Sequence, residues 1–254
     1  MENDKELQQL VNRLKELADK SFRQNIYTFS SFLGLSEMDA FWKVEPQLRY
    51  AGVTLSGGFA QADRQVVRFG RLEDLGYELP FPIKCIHIQP LMKKFAEKLS
   101  HRDFLGALMN QGIDRSTLGD IKVGESEAYL FCLETVAEYI CDNLTQIRHT
   151  HVKCSMVEEY TELIQEDPVR ESIQVSSVRL DGCISKVYNI SRSDCLELFR
   201  TGKVFVDGRL CENNSKALKG GEVINVRGKG KFILEGEMRE TRKGKLWVDV
   251  LVYR

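Results

Sequence analysis

The stretch from Ser191 to Cys211 constrains this chain most, because it holds a helix start, a helix stop and a hairpin in immediate succession. Ser191 is suited to cap a helix, and Asp194 stands three residues on, where a capping-box acid belongs. The segment that follows turns Cys195, Leu198 and Phe199 inward and stops at Gly202, a residue suited to a left-handed cap. Lys203-Val204-Phe205-Val206 then reads as a strand, Asp207-Gly208 as a tight hairpin turn, and Arg209-Leu210-Cys211 as the return. Upstream, Ser177-Val178-Arg179-Leu180-Asp181 leads into a short helix through Tyr188 that ends at Asn189-Ile190. Downstream, Lys219-Gly220-Gly221-Glu222 turns the chain into the alternating strand Val223-Ile224-Asn225-Val226-Arg227. Two short helices on a small sheet leave no deep cavity, so a binding module is expected here, not a catalytic one.

The charge supports that expectation. The chain has 254 residues and a formal net charge of −1, but residues 177–254 carry net +6 and the remainder net −7. A basic module beside an acidic remainder points to a polyanion partner. Chance segregation of surface charge fits the count equally well, so position within motifs has to decide. Arg179, Lys186, Arg192, Arg200, Lys203, Arg209, Arg227, Lys229 and Lys231 recur along the module. Arg192 lies at a helix start, where free backbone N–H groups also favour phosphate.

The rest of the chain reads as α+β. Leu7, Leu10, Val11, Leu14 and Leu17 recur at helical spacing, and a second helical stretch begins near Ser36, with Pro46 turning or interrupting it. Val53 to Phe59 and Gln65 to Gly70 read as two strands around a glycine turn. Residues 1–75 are therefore expected to be a small helical segment with a hairpin. From residue 76 to 160 the pattern changes. Strand Ile83–Ile88, a helix from Pro90 through Leu99, helix His101–Asn110, strands Asp120–Val123 and Glu127–Leu133, helix Glu134–Leu144 and strand His149–Met156 sum to β-α-β-β-α-β, an RRM-like or ferredoxin-like sandwich. Residues 161–176 read as a linker, and 177–254 as the basic module, closed by a β hairpin.

The module pattern is R-L-D, then S-R-S at a helix start, then G-K-V-x-V-D-G-R, then L-K-G-G-E-x-I-x-V. It resembles the RNA-binding domain named after small-subunit ribosomal protein S-four (the αL motif) over about Ser177 to Lys229. Asp207 stands where Asn is common and Glu222 where Asp is common, and neither departure removes a cation. Upstream, His101-Arg102-Asp103-Phe104-Leu105-Gly106-Ala107-Leu108-Met109-Asn110, then Gly112-Ile113-Asp114-Arg115 and Leu118-Gly119-Asp120-Ile121, resemble the signature of the YlmH family. Gly57-Gly58-Phe59 with Ala62-Asp63-Arg64 fits the same family's early segment. The resemblance implies an RRM-like domain before an S-four-type module, with ribosomal RNA and transfer RNA as ligands. It also implies action on the large ribosomal subunit, in quality control of stalled nascent chains. RNA contacts are then expected from Arg179, Lys186, Ser191, Arg192, Arg200, Lys203, Arg209, Arg227 and Lys229.

Other chemistries fit less well. His101-Arg102-Asp103 suggests a kinase catalytic loop, but Leu108 occupies the place of its required Asn and no D-F-G is present. Arg179-Leu180-Asp181 suggests pseudouridine synthases, which often carry this module, yet the Thr-Ser-Gly run after their catalytic Asp is absent. An RNA-modifying enzyme that uses the module for targeting is the alternative to a non-enzymatic factor. His149 and His151 are expected on one strand face, with Cys154 opposite, so no metal site is expected. The seven cysteines form no C-x-x-C pair and read as reduced core residues. The middle segment lacks the aromatic run by which RRM sheets stack bases, with Phe131 as one exposed candidate. A charged amino terminus and the lack of an ~18-residue apolar run lead us to expect a cytoplasmic protein, with no membrane or DNA partner and no cofactor.

Overall fold

The amino-terminal periodicity becomes helix α1 (Glu2–Gln24), whose Leu14, Leu17 and Ala18 are buried against Phe41 and Leu48 of α2 (Leu35–Leu48). Between the two helices runs β1 (Thr28–Leu33). After α2 come β2 (Val53–Ser56), β3 (Gln65–Phe69) and the one-turn α3 (Leu72–Leu75). These strands form an antiparallel sheet in the order β1-β3-β2. The expected hairpin is therefore the larger part of a three-stranded sheet. Polar residues at inward positions conceal β1: the Thr28 hydroxyl donates to the Leu17 carbonyl at 2.8 Å, and Ser30 Oγ accepts the Val67 N–H at 2.9 Å. The structure is a computed structural model, and it describes residues 2–60, 62–158, 168–240 and 244–253.

The next elements are β4 (Ile83–Pro90), α4 (His101–Asn110), β5 (Leu118–Val123), β6 (Ala128–Leu133), α5 (Glu134–Asn143), β7 (Gln146–Ile147) and β8 (Thr150–Val157). The β-α-β-β-α-β succession is present, with β7 added. All pairings are antiparallel, in the order β5-β6-β4-β8-β7. The helix expected from Pro90 to Leu99 is replaced by one 3-10 turn at Lys93–Phe95. The β4 ladder runs on through Pro90, and the Leu91 N–H still donates to the His151 carbonyl at 2.9 Å. Leu91 and Met92 point outward together and give no apolar face for a helix to bury.

This sheet is apolar on both sides. Ile86, Ile88, Leu130 and Cys132 pack under Phe104, Leu108, Ala137 and Ile140 of α4 and α5. On the reverse face, Cys85, Tyr129 and Phe131 join Phe32 and Val66 of the amino-terminal layer in a second cluster. Each large side chain buried in this way contributes ~1.5–3 kcal/mol. Met1–Gln165 form one compact unit, and Glu166–Arg254 form the other.

The second unit opens with β9 (Val169–Val175), followed by α6 (Leu180–Val187), α7 (Arg192–Arg200), β10 (Val204–Val206), β11 (Arg209–Leu210), β12 (Val223–Val226) and the long hairpin β13 (Gly230–Glu240) and β14 (Leu246–Tyr253). Its sheet runs β11-β10-β12-β13-β14-β9. The linker read at 161–176 thus ends in a strand, while 161–167 lie outside the described residues. Arg170, Glu171 and Ser172 make β9 look like a connector, and such charge is usual on an edge strand. Its Ile173 and Val175 nevertheless turn inward, toward Cys183, Ile184, Phe199, Ile224 and Val248.

Candidate nucleic-acid interface

The caps and turns read from sequence fix the backbone of the basic unit. Ser191 Oγ accepts the Asp194 N–H at 3.1 Å, and the Ser191 hydroxyl donates to the Asp194 carboxylate at 2.7 Å. Such a cap contributes ~1 kcal/mol and sets where α7 begins. Gly202 ends the helix at φ 62°, and Asp207 and Gly208 adopt φ 50° and 73°, the two positive values of a tight hairpin turn.

Cationic side chains gather where α6 and α7 meet β9. A groove of about 530 Å³ is lined there by Arg179, Lys186, Arg192 and Lys245, together with Asp181, polar residues such as Gln174 and Asn214, and the apolar Val175 and Leu196. The Arg179 guanidinium is held by the Asp181 carboxylate at 2.9 Å and the Ser215 hydroxyl at 2.7 Å. Lys186 and Arg192 are exposed and make no ion pair among the described residues. Arg192 stands at the first position of α7, so its guanidinium enters the groove from the helix start. Asp181 also accepts the Gly182 N–H at 2.8 Å, so its carboxylate serves the start of α6 and neutralises Arg179.

The other expected contacts lie elsewhere on the unit. Arg200 forms a bidentate pair with Glu197 at 2.8 Å for each bond, which holds Glu197 below the usual carboxylate range. The Lys203 carbonyl accepts the Arg227 N–H at 2.9 Å, which sets these two residues side by side at one end of the sheet. The Arg227 guanidinium lies 5.7 Å from the centre of the Phe205 ring, and Lys229 occupies the following turn. Arg209 follows the Asp207-Gly208 turn at the other end of β10. Sequence reading missed Lys245, which the register of β14 on β9 (Leu246 opposite Val175) brings to the groove. The one signal for it was the run of basic residues around the final hairpin.

The remaining candidates settle into structural roles. Asp103 accepts both the N–H and the hydroxyl of Ser100, at 2.8 and 2.6 Å, so His101-Arg102-Asp103 is a capped helix start. His149 sits in the turn between β7 and β8, not on a strand face with His151. No three metal-binding side chains converge among the described residues. Burial pushes the thiols of Cys85, Cys132, Cys154 and Cys183 up to about 12. Phe131, expected to be exposed, is fully buried with its ring 4.9 Å from that of Phe59. The amino-terminal layer covers it, a long-range contact that strand alternation does not reveal.

Residues 78–161, the β4–β8 region, match the family model described as "Putative RNA-binding domain in YlmH". Over 198 residues the chain is 26% identical to "Ribosome-associated protein quality control protein P2" of Bacillus subtilis (strain 168), covering 76% of this chain and 75% of that protein. The solved structure "Cell division protein ylmH from Streptococcus pneumoniae" is 22% identical. Its alignment covers 63% of this chain and 95% of that one, with a TM-score of 0.47.

Proposed function

We propose that this chain is a non-enzymatic RNA-binding factor of the YlmH kind that works at the ribosome. One observation carries the reading: Arg192, Lys186 and the start of α7 converge on one groove, in a chain whose middle region matches an RNA-binding family model. In this reading the β4–β8 sandwich is the RRM-like domain and the second unit is the S-four-type, αL module. The groove takes RNA phosphates, and the shape of a folded RNA sets its register. The ligands in this reading are ribosomal RNA and transfer RNA on the large subunit, and the setting is cytoplasmic quality control of stalled nascent chains; support comes from the Bacillus relative, whose name speaks of ribosome-associated protein quality control. The descriptions of that relative and of the family model name RNA binding and quality control, not a reaction.

Sedimentation of tagged protein from lysate through a sucrose gradient tests this. Wild type is expected to migrate with large ribosomal subunits, and a Lys186→Ala/Arg192→Ala double variant to shift toward the top. Wild type found only at the top would overturn the ribosomal assignment. Stoichiometric base modification of transfer or ribosomal RNA by the pure protein would overturn the non-enzymatic one.

A further inference from the structure

On the reverse face of the β4–β8 sheet, a pair of flat rings lies where the cluster under the amino-terminal layer, which includes Tyr129, gives way toward β8 to the part-exposed His87 and the exposed Ser155. His87 on β4 lies directly opposite Tyr129 on β6. Their rings are parallel within 5°, with centroids 4.6 Å apart. The cross-strand row continues to Lys122 beside Tyr129 and to Ser155 beside His87, so it reads Lys122–Tyr129–His87–Ser155. One face of the His87 ring is occupied by Tyr129. The other is turned toward β8, where its neighbour Ser155 is small and exposed. Glu127 holds His87 Nε2 at 3.1 Å and fixes the ring upright. Beside this slot the next row pairs Gln89 with Lys153, an amide and an exposed ammonium, and Lys93 stands 4.0 Å from Glu127.

We propose that the His87 ring face over Ser155 is a stacking site for one unpaired base of an RNA strand, with Lys153 taking an adjoining phosphate and Gln89 facing the base edge. The proposal rests on the RNA-binding reading above and adds a site on the other unit. Base stacking on a ring is sequence-tolerant, and lysines alongside supply the backbone attraction that such sites combine with it. The site holds a single base because its flank is closed: Cys85 and Phe131, in the neighbouring row, lie buried beneath Phe32 and Val66. An open RRM sheet has room for two or three bases.

The test measures fluorescence anisotropy of a labelled 12-nucleotide oligoadenylate with the full chain, at one fixed salt concentration. His87→Ala removes the platform and Ser155→Ile fills the slot while leaving the platform in place. Each is expected to weaken binding about fivefold or more, the lower range for losing one stacked base. His87→Phe, which keeps a flat ring without the imidazole, is expected to stay within about twofold of wild type. Thermal melting of each variant checks that the fold is intact. Affinities of His87→Ala and Ser155→Ile within about twofold of wild type, with Arg192→Ala still weakened, would overturn this site and leave the RNA-binding reading standing. Wild-type binding to ribosomal RNA but not to the oligoadenylate would also overturn the site. Wild type that binds no RNA would overturn both.

Discussion

Arg64 and Arg115 end on the same carbonyl oxygen: Arg64 Nε donates to Leu118 O at 2.8 Å, and Arg115 Nη1 to the same atom at 2.7 Å. Arg64 Nη2 reaches the Phe32 carbonyl as well, at 3.1 Å. Two guanidiniums drawn to one acceptor repel each other, and burial adds to the cost. Burial, then the Arg64 charge, brings Arg115 down to about 10, while Asp120 and Glu37 act the other way. The segments Ala62-Asp63-Arg64, Asp114-Arg115 and Leu118-Gly119-Asp120, set apart in sequence, therefore form one knot that ties the amino-terminal layer to the β4–β8 sheet. Their work is architectural.

The carboxylate of Asp120 is the weak point of that knot. It accepts the Asp63 N–H at 2.7 Å and the Arg64 N–H at 3.3 Å, and it offsets both guanidiniums. Asp120→Ala leaves two amides without their acceptor and only Glu37 to offset the arginine charge, at a cost of ~1–3 kcal/mol. Asp120→Asn keeps an acceptor and is expected to cost less. Urea unfolding checks both, and an Asp120→Ala midpoint equal to wild type would remove the knot from the account of stability.

Gly58 is the second architectural point. Its φ is +96°, and a Cβ added there would lie 2.4 Å from the Phe131 ring, in the place where Phe59 and Phe131 meet. Gly58→Ala is expected to cost ~1–3 kcal/mol from backbone strain alone, with the clash adding to it. Differential scanning calorimetry reads this as a lowered Tm, and an unchanged Tm would mean that the loop moves aside freely.

The features legible in the sequence are those set by neighbouring residues. Ser191, Gly202 and Asp207-Gly208 announce their caps and turns because the geometry they satisfy spans at most four residues. The alternating strand β12 shows for the same reason. What escapes depends on partners far along the chain. β1 buries Thr28 and Ser30, whose hydroxyls are satisfied by Leu17 and Val67. Phe131 disappears beneath a layer built from residues 28–69. The basic residues of the second unit are visible as a series, but their division is not. Arg179, Lys186 and Arg192 face one groove, and Lys203 and Arg227 stand at one end of the sheet. Arg200 is occupied by Glu197, and Lys245 arrives through strand pairing.

That division gives a ranking for RNA binding. Every phosphate that a variant no longer neutralises should lower the slope of log affinity against log salt by up to about one. Lys186→Ala and Arg192→Ala are expected to weaken binding and flatten this slope. Arg200→Ala, whose guanidinium is already committed to Glu197, is expected to change little. Filter binding of ribosomal RNA across a salt series measures all three. Wild-type slopes for Lys186→Ala and Arg192→Ala would show that the groove is not the phosphate site.

The reverse face of the second unit's sheet carries a pH-sensitive contact. Asp249 on β14 accepts the Ser172 hydroxyl and lies 3.4 Å from both Arg170 and Arg239. The Ser172 hydrogen bond first, and then the two arginines, hold its carboxyl below the ordinary value of 3.8, against the opposing effect of burial. A carboxyl depressed in the folded state binds its proton more readily when unfolded, so its contribution is fully present above about pH 4. That contribution is lost as pH falls through the lower folded value. Urea midpoints taken at pH 6 and pH 3 should therefore drop more for wild type than for Asp249→Asn, which has no proton to bind. Because β14 pairs β9 through Asp249 and Ser172, the loss should appear first as faster amide exchange in β9. Equal acid sensitivity in the two proteins would mean that Asp249 does not anchor this edge strand.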